Sequence, residues 1–551
     1  MMTMKKIAFI VGMGLLSVSA LQAQQDSTLN RTVVVENLYN PTVMDASKIN
    51  VLPKVEEPTV PKTNIDYATS IRPVSAWNYQ AMQPIVREWQ PDAAYRGYLR
   101  AGYGNNGNVD ARLGYLWDIS KKDRLNLAAS LDGWNGDLTD CNNEDWKSRL
   151  YNTRVGIDYK HTFKKTDLML GGYYRSQVFN YMPPKYYDYS NLSSEASYGR
   201  QHQTMANAHL GLTSTDEAMP IQFWGEIGIN YFKQKYPTNI VEGNETNLYV
   251  KGDVWKAFNT QGIGVAFDFN NYSYSMGEME NATSLELNPY YKYESEDWRI
   301  RLGAHIDWWG GMDDEVNFSP NVNVEYVFSD SYVFYAKADG GRVNKSLMDL
   351  ANITPYWTLS HPYLQPTYVS LDAALGLKAS PANGWWFNLS GGYQIREDDL
   401  FWKLDDVVRS YVSFLQGKSN VFYGSAELKY DYKDLFDLAL KATYYNWDSE
   451  SSDEYDSKWV LSLKPELEIN AEVGFKPMQG LRVNLGYEYV KRCNDMAGDP
   501  ISNLYLGADY ALLKNLSVFA KFNNLLNKEY VASYAYPAQK LNFLAGVSLQ
   551  F

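Results

Sequence analysis

From Tyr95 to the end of the chain, apolar and polar residues alternate with period two, in segments of about ten residues separated by turn residues. Leu481, Val483, Leu485, Tyr487 and Tyr489 occupy one face of such a segment, and Arg482, Asn484, Gly486 and Glu488 the other. Phe436, Leu438, Leu440, Ala442 and Tyr444 alternate with Asp437, Lys441 and Thr443. Phe223, Gly225, Ile227, Ile229 and Tyr231 alternate with Gln222, Glu226 and Asn230. Successive side chains of an extended strand stand on opposite faces, so each segment sees two environments. Counting segments from 95 to 551 predicts about 22 antiparallel strands, in the range of about 20–24.

A soluble two-sheet sandwich gives the same alternation, so the connections decide. Short ones (Ser120–Asp123, Phe163–Thr166, Ser329–Ser331, Ser380–Gly384, Lys433–Asp434, Lys476–Gly480) alternate with long ones at 135–147, 181–197, 341–366, 397–417 and 525–540. Short periplasmic turns and long extracellular loops are the rule for outer-membrane barrels, and a sandwich has no reason to sort its loops by parity. Composition points the same way. Aromatic residues make up 15% of the chain, with 45 Tyr and 16 Trp, which two interfacial girdles would use. The fold expected is therefore all-β, a transmembrane β-barrel. The formal net charge of -13 argues against nucleic acid as a partner.

Three regions follow. Residues 1–23 read as a secretory signal: Lys5 and Lys6 precede an apolar stretch from Ile7 to Leu21, and cleavage between Ala23 and Gln24 fits. Residues 24–94 contain seven prolines and no glycine, with no sustained helical period, and read as an extended periplasmic segment that orders against a partner or a cavity wall. Residues 95–551 form the barrel. In its last strand Leu541, Phe543, Ala545, Val547, Leu549 and Phe551 share one face and the chain ends on the aromatic, as in the signal read by the outer-membrane assembly machinery.

Two stretches resemble the barrel of TonB-dependent receptors. His361-Pro362-Tyr363-Leu364-Gln365-Pro366, followed by Leu375-Gly376, resembles that family's Asn-Pro-x-Leu-x-Pro-Glu loop, with His361 and Thr367 departing from it. Asn523-Asn524-Leu525-Leu526-Asn527-Lys528-Glu529-Tyr530 is similar to the family's Asn-Leu-x-Asn-Lys-x-Tyr, with Tyr536-Pro537 and Gly546 in place and Lys540 where Arg is usual. The resemblance implies uptake of a bulky nutrient across the outer membrane of a Gram-negative bacterium. It also implies a TonB-type energising partner, for which Thr32-Val33-Val34-Val35 is the strand-forming candidate. One departure is large: the family fills its barrel with a globular plug, whereas the 71 residues of 24–94 show no plug-like pattern. A plug-less barrel would otherwise serve as the membrane subunit or scaffold of an assembly, secretion or surface-anchoring complex, with a periplasmic or surface lipoprotein as partner. Either way something must close the lumen: residues 24–94, infolded loops, or another protein.

Catalytic chemistry is not expected. The five His residues show no zinc-ligand spacing, and His202 and His209, seven apart, should face opposite sides of a strand. No phosphate loop, EF-hand or serine-nucleophile elbow occurs, and no cofactor is implied. Cys141 and Cys493 either form one bridge or stand as separate thiols. Acidic clusters at Asp137, Asp140, Glu144 and Asp145, at Asp313, Asp314 and Glu315, at Glu397, Asp398 and Asp399, and from Asp448 to Asp456 read as a solvated rim, with divalent bridging as the sharper alternative. Trp308-Trp309, Trp385-Trp386 and Phe401-Trp402 read as girdle anchors, with carbohydrate stacking as the alternative.

Overall fold

The computed structural model describes residues 95–551 except 140–144, 183–198, 235–242, 276–278, 312–313, 330, 358–363, 405–411, 451–459, 495–497 and 534–535. The signal and its cleavage pair Ala23 and Gln24, the segment 24–94 with Thr32 to Val35, and Cys141, His361 and Pro362 lie outside the described residues.

A single 22-stranded antiparallel sheet closes on itself. Each strand pairs with its sequence neighbours, and the first, Gly97–Gly104, pairs with the last, Asn542–Gln550, from Tyr98 opposite Gln550 to Gly104 opposite Leu544. Phe551 completes the seam by accepting the Arg96 and Gly97 amides and donating to Gly97. Closure leaves no unpaired edge, the only way a sheet satisfies its backbone inside a bilayer.

The alternation read from sequence sorts the two faces as expected. Val155, Ile157, Leu170, Leu210, Ile227, Leu375, Leu389, Phe422, Leu485 and Val547 are exposed on the outside, where a bilayer covers them. Phe543 and Phe551 share that outer face, as the terminal pattern predicts. Aromatic residues ring the short-turn end, with Trp298 against Tyr326 at 4.6 Å and Trp385 against Tyr430 at 4.4 Å between ring centroids. The inner face carries buried polar groups such as Arg100, Asn152, Gln203, Asn247 and Lys521.

Turns at one end are tight. Asn259 takes a left-handed φ of 54° in the two-residue link from Phe258 to Gln261, and Gly384 has φ 81° with its Cα against the Asp431 carbonyl, where a side chain does not fit. At the other end the sequence reading needs correction. The stretches 135–147 and 397–417 are mostly strand: paired strands reach Thr139 and Asp145 in the first, and Leu404 and Val412 in the second. Polar outer residues look like loop in a one-dimensional reading, but a hairpin that projects beyond the bilayer has no lipid-facing side and loses its apolar alternation. Wall height is consequently uneven, from 8 residues in Gly97–Gly104 to 21 in Val412–Tyr432.

Candidate functional site

The connection after the strand Tyr332–Val343 turns inward. Asp339 and Gly341 flank a register shift, and Gly341 has φ 110°, with a Cβ there placed 3.3 Å from His305 Nδ1. Beyond it the chain forms a two-turn helix, Leu347–Ile353. Ser346 caps that helix reciprocally with Asp349, and Leu347 N–H donates to Glu245 Oε2 at 2.5 Å. Ser346-Leu347-Met348-Asp349 fits the capping-box pattern, a signal available in the sequence that exposes the helix hidden in this long loop.

The helix sits inside the barrel. Leu347, Leu350, Ala351 and Ile353 are buried against Met205, Phe232, Leu400 and Phe414. Met205 shares its strand face with Asn207 and His209, which line the lumen, and Phe232, opposite Met205, is buried between the half-buried Tyr231 and Lys233. Polar ties hold the loop: Arg175 Nη1 donates to Asn352 Oδ1 at 2.6 Å, and the Val412 amide donates to the Tyr356 carbonyl at 3.0 Å. Burial pushes the Asp349 carboxyl up and the Lys345 ammonium down, so both charges rest on their neighbours rather than on water.

A second core spans the mouth. Leu138, Trp146, Leu150, Phe179 and Val412 from the wall meet Tyr181, Tyr356, Leu463 and Tyr536 from four different connections. The Tyr356 and Tyr536 rings stack at 3.6 Å with planes 4° apart, and Trp146 and Phe179 meet them edge-on at 5.9 and 5.7 Å. Phe401 and Trp402, expected in a girdle, belong to this interior instead: Phe401 is buried and Trp402 packs on both cores. Trp308 and Trp385 do face outward, whereas Trp309 is buried inside.

An ionic cluster locks the tall hairpin to the mouth. Asp399 is fully buried and accepts from Lys464 Nζ at 2.6 Å and Ser419 Oγ at 2.7 Å, with Arg396 Nη1 at 3.6 Å. Burial pushes the Lys464 ammonium down to about 8, with Asp399 resisting and Arg396 adding to the fall. Asp399, expected in a solvated acidic rim, is interior instead, because the projecting hairpin turns this residue inward.

Toward the short-turn end lies a polar cavity of about 770 Å³ in the lumen. Arg112, Arg154 and Lys251 oppose Asp158, Glu226 and Asp268 around it, with Asn207, Asn230 and Tyr249 between them. Tyr249 OH donates to Glu226 at 2.8 Å and Asn207 bonds Asn230 at 2.8 Å. His209 points into this lumen, while His202 faces outward onto Ser176 at 2.7 Å, as their spacing predicts. Among the described residues no cluster of His, Cys, Asp or Glu has metal-binding geometry.

The remaining sequence candidates fall in the last loop and beside the inner helix. Asn524 (φ 50°) bonds the Lys528 and Gln539 carbonyls and the Lys528 amide, while Leu525 N–H donates to Leu504 and Tyr530 is buried with Val490 and Ile501. Asn527 accepts from the Leu541 amide at 3.0 Å. Leu364 packs on the inner helix and Pro366 is buried beside it, so the two motif stretches serve as structural anchors at separate places. Cys493 is a free thiol, raised to about 12 by burial.

These features define a large antiparallel barrel of the outer-membrane type whose mouth is spanned by a core contributed by its own loops. Solved structures agree. The FrpB iron transporter from Neisseria meningitidis superposes with a TM-score of 0.65 at 11% identity, over 84% of this chain and 82% of that one. The ferric enterobactin receptor PfeA from Pseudomonas aeruginosa gives 0.64 at 13%, over 84% and 82%. The copper transporter OprC gives 0.62 at 13%, over 84% of each chain. No protein-family model and no curated protein matches the sequence. At these identities the likeness is one of fold, and the fold is the β-barrel of TonB-dependent receptors.

Proposed function

We propose that this barrel lies in the outer membrane of a Gram-negative bacterium and takes up a bulky polar nutrient, with the infolded loop 344–366 as its movable gate. The observation that supports the reading most is the pairing of a polar lumen with loops of the same chain packed across its mouth. A wall that balances three cations against three anions around amides and tyrosines favours a large hydrated solute over a simple ion. The structural neighbours are named for iron, ferric enterobactin and copper, and none of these cargoes is assigned to this chain. Residues 24–94 would supply the handle, with Thr32 to Val35 adding as a strand to a TonB-type protein. Ala23 and Gln24 would flank the cleaved bond, and Phe543, Ala545, Val547, Leu549 and Phe551 would carry the insertion signal. The test is solute entry into proteoliposomes made with the intact protein and with a version lacking residues 344–357. Entry of polar oligomers only after the deletion supports a gate, and equal exclusion by both overturns it.

A second reading rests on the same packing. A mouth spanned by stacked aromatics also suits a membrane subunit that passes nothing. Mild-detergent purification with and without residues 24–94 separates the two. A stoichiometric partner lost with the deletion would establish the subunit, and a solitary barrel in both preparations would exclude it.

A further inference from the structure

We propose that the outer surface of strands Asp145–Thr162, Thr166–Asn180, Arg200–Ser214 and Gln222–Gln234, just beyond the apolar belt, binds the phosphate groups of an outer-leaflet lipid. The inference rests on the membrane placement argued above. Alternating burial fixes which side chains point out. Trp146, Ser148 and Leu150 are buried while Lys147 and Arg149 are not. Gln201 and Gln203 are buried while Arg200 and His202 are not, and Phe232 and Gln234 are buried around Lys233.

Register brings these groups together. Leu150 opposes Phe179 and Asn180 opposes Arg200, so Arg149, Asn180 and Arg200 form one row across three strands. Asn180 braces that row, accepting the Arg149 amide at 2.6 Å and donating to the Lys147 carbonyl at 2.8 Å. His202 opposes Val178 one outward step nearer the belt, and Lys233 opposes Thr204 two steps nearer. The outward rows below the Arg149 row are Tyr151, Val178 and His202, then Thr153, Ser176, Thr204 and Lys233, before the belt begins at Val155, Tyr174, Ala206 and Tyr231. Lys233 stands in the row directly above the apolar edge and Arg149 and Arg200 two rows further out, a band that meets lipid headgroups, because acyl chains pack below it and phosphates lie just above them.

The patch is local. Lys147 and Arg149, Arg200, and Lys233 lie on three of these four neighbouring strands, and the nearby acids among the described residues are Asp137, opposite Lys147, and Asp145. Lys147, Arg149 and Arg200 form no ion pair among the described residues. Elsewhere on the outer rim Lys491 meets Glu466 at 2.8 Å, and Lys418 is exposed on the strand Val412–Tyr432. A phosphorylated glycolipid or phospholipid with several acidic oxygens suits an array of separate donors better than a single anion does.

The test uses the full-length protein in mild detergent, loaded from neutral phosphatidylcholine vesicles with or without lipid A. Bound lipid is read by native mass spectrometry. Each cation near a surface is worth about five-fold, so R149Q/R200Q/K233Q should retain lipid A about 100-fold less well. R149K/R200K should retain it, which shows that charge rather than folding is at issue. K418Q/K491Q on the far wall should change nothing. Excess inorganic phosphate at matched ionic strength should not release the lipid, since the belt holds its chains. Equal retention by the triple variant, or release by inorganic phosphate alone, would overturn the proposal. Loss of vesicle insertion by every form would instead refute the membrane placement.

Discussion

Asp399→Asn is the most informative single change, because it cuts the mouth lock without altering shape. Asp399 neutralises Lys464 at 2.6 Å and Arg396 at 3.6 Å, all three out of water. Removing one partner of such a cluster costs about 3–5 kcal/mol, since the stranded charges keep their desolvation penalty. Converted to an equilibrium, the closed mouth loses roughly 10²- to 10⁴-fold against an opened one. Hydrogen exchange at the helix Leu347–Ile353 reads that opening directly, so its protection should fall by about the same factor. The pH dependence has a definite sign. Lys464 sits near 8 when buried, below its ordinary 10.5, so the opened form binds more protons between those values. Opening therefore becomes harder as pH rises through that window and easier below it. In the variant the amine loses its counter-charge and neutralises at lower pH, so the defect should be largest in mild acid and shrink in alkali. D399N/K464M should recover part of the closure. Unchanged protection in folded D399N at both pH extremes would refute the lock.

Four further outcomes follow from the geometry. Tyr356→Ala removes the ring stacked on Tyr536 and leaves a cavity, so protease cleavage within 344–366 should rise, consistent with a local loss of about 3–5 kcal/mol. Gly341→Ala places a side chain at φ 110° against His305 and should lower thermal stability by about 1–3 kcal/mol, visible in heat-modified gel mobility. Asn524→Ala strips the ties to Lys528 and Gln539 and should destabilise the last loop by about 1–3 kcal/mol, read as faster exchange over 524–541. Deleting Phe551 removes the carbonyl that accepts the Arg96 and Gly97 amides, and should slow assembly of the folded barrel, measured by pulse-chase.

The sequence carried the barrel because period-two alternation is local: each residue pair reports inside or outside whatever the rest of the chain does. The outward row Phe223 to Tyr231, the opposed His202 and His209, the terminal face ending on Phe551 and the number of strands were all legible for that reason. The gate was not. Glu245 and Leu347 lie 102 residues apart, and Asp399 and Lys464 lie 65 apart. No local pattern says that an acidic stretch will turn inward, or that Tyr356 and Tyr536 will stack. Only Ser346 and Asp349 left a readable trace, as a cap without a visible helix. Sequence alone thus determined which face points outward along the regularly alternating strands, because solvent sorting acts residue by residue. Tertiary structure decided what fills the mouth, because closing a barrel brings distant connections over one opening, where their buried charges and rings find partners only in each other.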